Sequence, residues 1–249
     1  IEGNQIPTDE SLQVMFFICN ESQFVCREFV EMGGVDYLLA RLIHSPSEDA
    51  VFYVSRCLLY LLESHSEIRI LMSEYLVMEK ILLLCETQPT YPLLKVFGKF
   101  LQELATLFLK RDPSDTSLGI LFAIKDNSPA MNLMVYFLHS EFEEIAYYGL
   151  VAFAVVVGET GELESFGVLE RLGTLTQSTD QIFRNQILLL LERVDIRKLS
   201  AVCLSFFWRL SLQTLIEGDQ ENITLALCSL DDLILYHPTL LTENQGDID

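Results

Sequence analysis

Apolar residues recur along this chain in runs of helical length, broken by short polar or proline-bearing segments. The runs predict helices at about 9–20, 22–31, 34–44, 46–63, 66–73, 75–87, 91–110, 115–125, 129–139, 141–157, 166–177, 180–194, 196–217 and 221–237. No segment alternates apolar and polar residues long enough to argue for a sheet; Val155-Val156-Val157 comes nearest. Start signals agree with this reading. Ser45-Pro46-Ser47-Glu48 offers a capping serine, a proline at the first helical position and a glutamate after it, and Ser140-Glu141-Phe142-Glu143 offers a second capping box. Asp112-Pro113 and Ser128-Pro129 repeat the cap-then-proline order, and Pro238 stops the last long helix.

Many short helices that cannot each bury a face usually stack, so an internal period is expected. A slide of 42 residues lays Leu12 to Phe17 on Val54 to Leu59, Arg27 on Arg69, Phe29 on Leu71, Val35 on Val77 and Leu42 on Leu84. A looser third copy has Val96 to Leu107 as its long helix, and a fourth is suggested by Ile145 to Val157 followed by Phe166 to Leu172. Beyond residue 180 the period fades. At Gly33-Gly34 the pattern demands a sharp turn, and a glycine pair permits both a positive φ and a close helix approach. The equivalent positions of the second copy are Tyr75 and Leu76, so that turn does not depend on glycine.

The stretch Phe29 to Leu42, with its glycine pair, resembles the junction between the second and third elements of an armadillo repeat, the family that includes the catenins and importin alpha. The helix Ala50 to Leu62 followed by Ser64 to Leu71 resembles that family's third helix running into the next repeat. The match is carried by residues 9–87, and elsewhere it is architectural, with HEAT-like pairs fitting as well. The resemblance implies an all-α fold, a right-handed α-solenoid of five or six three-helix units in a single domain over residues 1–242, with 243–249 as a flexible acidic tail. It also implies a concave groove lined by third helices that holds a partner peptide or helix. Peptide-binding members carry a tryptophan and an asparagine four residues apart on the third helix. The matching positions here are Val14 and Ile18 in the first unit and Arg56 and Tyr60 in the second. Without asparagines to clamp an extended backbone, the expected partner is a helical or amphipathic segment gripped through side chains. Packing against the neighbouring repeat is the alternative role of these four residues.

Composition narrows the function. There are 36 acidic against 16 basic residues, a net charge of -20, which disfavours direct binding to nucleic acid or to an anionic membrane and favours a basic or mixed-charge partner. No lysine or arginine occurs between Asp126 and Glu170 or after Arg209. Lys95, Lys99, Lys110 and Arg111 form the one basic cluster, and Lys95 and Lys99 stand one turn apart as candidate contacts. The longest uncharged apolar stretch, Ile145 to Val157, is shorter than the roughly 20 residues a bilayer needs. The chain opens Ile1-Glu2-Gly3 with no initiating methionine and reads as a piece of a longer protein.

Catalytic chemistry is thin. The six cysteines show no C-x-x-C spacing and sit mostly in apolar runs, which predicts core thiols in a reducing compartment, cytoplasmic or nuclear. The four histidines stand apart, no zinc spacing occurs, and Gly158-Glu159-Thr160-Gly161 lacks the lysine of a phosphate loop. Cys228 with Asp231, Asp232 and His237 is the nearest approach to a nucleophile with a base, and a core cysteine is the expected role. The sequence therefore predicts a non-enzymatic scaffold or adaptor with no cofactor, no metal and no small-molecule substrate. A transport-type receptor for basic peptides, or a spacer within a larger complex, is the alternative.

Overall fold

The computed structural model describes residues 8–44, 47–64, 68–70, 72, 76–110, 129–156, 163, 167–177, 181–191, 194–218 and 220–240. Among these there are helices and turns and no strand. The chain divides into two compact units, Ile1–Ala152 and Phe153–Asp249.

The first unit opens with α1 (Asp9–Glu21), α2 (Gln23–Glu31), α3 (Gly34–His44) and α4 (Glu48–Ser64). It continues through α5 (Val77–Thr87), α6 (Tyr91–Lys110) and α7 (Pro129–Leu138), and the division between units falls within α8 (Glu143–Val156). Two stacks form. The long third helices α1, α4 and α6 pack side by side, while α3, α5 and α7 pack in a second row. The core of this unit includes Leu12, Leu38, Leu58, Leu61, Ile81 and Phe97, all fully buried. Each such side chain contributes about 1.5–3 kcal/mol, which is why amphipathic helices too short to stand alone persist here. Gly98 on α6 lets α8 approach, because a Cβ there would lie 2.9 Å from the Tyr148 ring. Gly149 does the same for α8 against the end of α7, where a Cβ would meet the backbone nitrogen of Leu138 at 2.4 Å.

The second unit holds α9 (Val168–Leu175), α10 (Gln181–Leu189), a 3-10 turn (Ile196–Lys198), α11 (Ala201–Glu217) and α12 (Gln220–Tyr236). Helices α10, α11 and α12 pack on one another around Phe183, Ile187, Phe207, Trp208 and Leu233. The His237 ring nitrogen Nε2 lies 2.7 Å from the carbonyl of Ile196 and ties the end of α12 to the 3-10 turn.

Three helix junctions share one backbone feature. Gly33 (φ +80°), Leu76 (φ +54°) and Gly167 (φ +68°) each take the left-handed conformation directly before α3, α5 and α9. The turn that is independent of glycine thus keeps the left-handed conformation directly before its helix, but carries it at Leu76, 43 residues after Gly33 and one position later than the 42-residue register. A second recurring device closes helix ends. Arg69 Nε donates to the Leu62 carbonyl at 2.8 Å, and Arg184 Nε donates to the Thr176 carbonyl at 3.0 Å, each satisfying an orphan acceptor near a helix C-terminus.

Several local expectations are revised. The cap of α4 is Ser47, whose hydroxyl accepts from the Ala50 amide at 3.1 Å, two residues later than the Ser45-Pro46 signal; both of those residues lie outside the described ones. The predicted helix 196–217 is two elements, because Leu199 is extended and Ser200 starts a new helix by accepting from the Cys203 amide at 3.3 Å. Helix 141–157 begins at Glu143, with Ser140 accepting from Phe142 within the preceding turn. The predicted helix 115–125, the Asp112-Pro113 start and the 243–249 tail lie outside the described residues.

Candidate functional site

The sequence singles out positions on the third helices, and the structure places all of them on α1, α4 and α6. Val14 and Ile18 lie one turn apart on α1 and are 55% and 46% exposed; Phe17 between them is 64% exposed. Large apolar groups at i, i+3 and i+4 form one stripe on a helix. On α4 the neighbouring exposed residue is Phe52, at 49%, followed after one turn by Arg56 and after another by Tyr60, both half-buried. Gln13 of α1 and Tyr53 of α4 are joined by a 2.7 Å hydrogen bond, which holds these two helices in register.

Arg56 and Lys99 come together although they entered by different routes, one through the repeat register and the other through the basic cluster. Both line a cleft of about 70 Å³ between α4 and α6, with Phe52, Ser55, Leu59, Val96, Phe100 and Glu103. Arg56 Nη1 lies 3.0 Å from Glu103 Oε2, and its guanidinium carbon sits 5.7 Å from the centre of the Phe52 ring. Lys99 is exposed and forms no ion pair with a described residue. Leu59, which the repeat register pairs with the exposed Phe17, is only 5% exposed and lines the cleft between α4 and α6.

Lys95 belongs to a different cluster. Its Nζ lies 2.9 Å from Glu144 Oε1 on α8 and 5.8 Å from the centre of the Tyr91 ring. Glu144 also accepts from the hydroxyls of Tyr91 at 2.5 Å and Tyr148 at 2.9 Å. The Tyr91 hydrogen bond first, and the Lys95 contact next, hold the Glu144 carboxyl below its ordinary range, and the same carboxylate raises Lys95. Lys95 and Lys99 therefore share a helix without sharing a task. Lys110 contributes its backbone to α6, and Arg111 lies outside the described residues.

Sequence reasoning missed Phe52, Glu103 and Glu144. Glu103 stands four residues after Lys99, a spacing that suggests a pair within α6, yet its carboxylate is taken by Arg56 from the adjacent helix. Only knowledge of which helices stack reveals that.

The cysteines argue against thiol chemistry in the core. Cys26, Cys57, Cys85 and Cys203 are buried and belong to no disulfide. Burial pushes the thiols of Cys57 and Cys85 up to about 12, far from the depressed values of nucleophilic cysteines. Cys228 corrects the expectation of a core thiol: it is exposed, because α12 buries the stripe Asn222, Ala226, Ser229, Leu230 and Leu233 and leaves Leu227, Cys228 and Asp231 outside. Its supposed base, His237, is engaged with the Ile196 carbonyl. Among the described residues, no group of three or more His, Cys, Asp or Glu is placed to hold a metal, and no helix is long and apolar enough to cross a membrane.

No protein-family model and no curated protein matches the sequence. Solved structures do match the fold. A designed armadillo repeat protein in complex with the peptide (KR)4 has a TM-score of 0.62 at 12% identity, over 90% of this chain and 92% of that one. Computationally designed armadillo repeat proteins for modular peptide recognition match with a TM-score of 0.56 at 13% identity, over 89% of this chain and 91% of that one. An engineered protein matches with a TM-score of 0.60 at 17% identity, over 90% and 89%. The chain has the all-α, armadillo-type helical-repeat fold.

Proposed function

We propose that this chain is a non-enzymatic interaction scaffold that holds a helical or amphipathic segment of a protein partner on the third-helix face of its first unit. The armadillo-type fold supports a binding frame in general, since it typically serves without catalytic chemistry. The observation that carries the finer reading is the exposure of Val14, Phe17 and Ile18 on α1 beside Phe52 on α4, four large apolar groups on two adjacent stacked helices. Soluble surfaces rarely gather such groups unless something covers them, and aromatic anchors of this kind dominate the energetics of helix docking. Tyr60 and Arg56 continue the surface along α4. Buried cysteines that form no disulfide favour a reducing compartment, cytoplasmic or nuclear, in which such an adaptor works.

Basic-peptide capture is the second reading. It is favoured by the net charge of -20 and by the (KR)4 peptide held by the designed armadillo protein of similar fold. Against it, the positions that carry tryptophan and asparagine in the peptide-binding members hold Val14, Ile18, Arg56 and Tyr60 here, and Arg56 places a cation on the face.

The test is site-specific photo-cross-linking in cells from two positions: Phe17 on α1, and Leu83 on α5, which is 60% exposed on the second row. The scaffold reading expects one discrete protein adduct from position 17 that is lost in a Val14→Ser, Ile18→Ser variant and is absent from position 83. An adduct from position 83 alone places the working face on the other row and overturns the assignment.

A further inference from the structure

We infer that the α4–α6 cleft is a carboxylate-reading site, and that the docked helix carries an Asp or Glu side chain that enters it between Arg56 and Lys99. This rests on the docking reading above and specifies its partner. Three charges line the cleft: Arg56, Glu103 and Lys99. Glu103 is already engaged by Arg56 at 3.0 Å, so the local sum is one uncompensated positive charge on a chain whose total is -20. One arriving carboxylate brings that sum to zero, whereas a lysine or arginine raises it.

The dimensions point the same way. About 70 Å³ is several times the roughly 10–15 Å³ that one water requires, yet far too small for a helix. The cleft admits the end of one side chain while the body of the ligand remains above, on the Phe17 and Phe52 surface. Phe52 is shared by the two regions, being both an exposed apolar group and a wall of the cleft. Its ring also lies 5.7 Å from the Arg56 guanidinium carbon, which restricts where that group can sit. Arg56 therefore presents donors from a fixed position, and Lys99 supplies a mobile point charge from the opposite wall.

Net charge alone suggests a basic partner, and the cleft reverses that expectation at one position. The predicted ligand is an amphipathic helix with apolar anchors and a single acid at a fixed spacing from them; its other flank is free to be basic, matching the acidic remainder of the chain.

The experiment is a display selection on the 249-residue chain with a library of amphipathic helices whose charged positions are randomised. The expected outcome is a set of helices that lose binding to a Phe17→Ser variant and share an Asp or Glu at one register. Replacing that acid with Asn or Gln should weaken binding to the wild-type chain about tenfold. A Lys99→Glu variant should discriminate against the same helices and select helices with Lys or Arg at that register. Lys99 is exposed, and circular dichroism checks that the variant remains folded. Helices that depend on Phe17 but show no acidic preference, or that bind Lys99→Glu equally well, overturn the carboxylate site and leave the docking face standing. Recovery of no Phe17-dependent helix overturns both.

Discussion

The chain turns into α3 on two glycines and into α5 on a leucine, and the two junctions need different things from their residues. Gly33 has φ +80° and nothing within 4 Å of a would-be Cβ, so its requirement is purely one of dihedral angle. Gly34 is helical and the opposite holds: a Cβ there would lie 2.4 Å from the Phe29 ring, so its requirement is purely one of space. At the second junction only the dihedral requirement survives. Leu76, φ +54° and ψ +42°, meets it with a side chain that is half exposed, in a region that costs an L-residue about 1–2 kcal/mol. The repeat dictates the turn, and the residue decides only how much strain the turn stores.

Substitutions at these positions can separate the two requirements. Gly34→Ala should have the largest effect, a loss of about 1–3 kcal/mol from overpacking against Phe29, measured by urea unfolding. Trimming the ring with Phe29→Leu in the Gly34→Ala background should recover part of that loss; if it recovers none, space is not what Gly34 supplies. Gly33→Ala should cost somewhat less, about 1–2 kcal/mol, and Phe29→Leu should not restore it, because the strain lies in the backbone. The smallest effect is at Leu76. Leu76→Gly and Leu76→Ala both remove the side chain, but only glycine relieves the left-handed turn, so Leu76→Gly should unfold about 0.5–1 kcal/mol later than Leu76→Ala. Equal stabilities would mean that the second junction is not held in the left-handed region.

Much of this architecture is legible in the sequence because it is written locally. Helical periodicity, the glycine pair and the proline at the start of α7 each act within a few residues, and the resulting helices agree with the structure to within a residue or two for α2, α3, α5, α6 and α12. The failures have local causes too. Ser45 and Ser47 are both plausible caps, and Ser200 interrupts an apolar run whose periodicity alone reads as continuous. The candidate site is less legible. Val14, Ile18, Arg56, Lys95 and Lys99 could be named from register and charge, but which of them meet depends on the stacking of α4 on α6 and of α6 against α8. Cys228 illustrates the same limit: the run Leu225-Ala226-Leu227-Cys228 is apolar throughout, and only packing decides which side of it faces out.

That cysteine has a practical consequence. Among the cysteines whose side chains are described, four are buried in the core and Cys228 alone is exposed, on the outer side of α12. Under native conditions a maleimide dye should therefore attach in the second unit at one position among these five, without engineering. Such a dye gives a resident optical reporter, remote in sequence from the Phe17 surface, against which donor labels placed in the first unit can be measured by energy transfer.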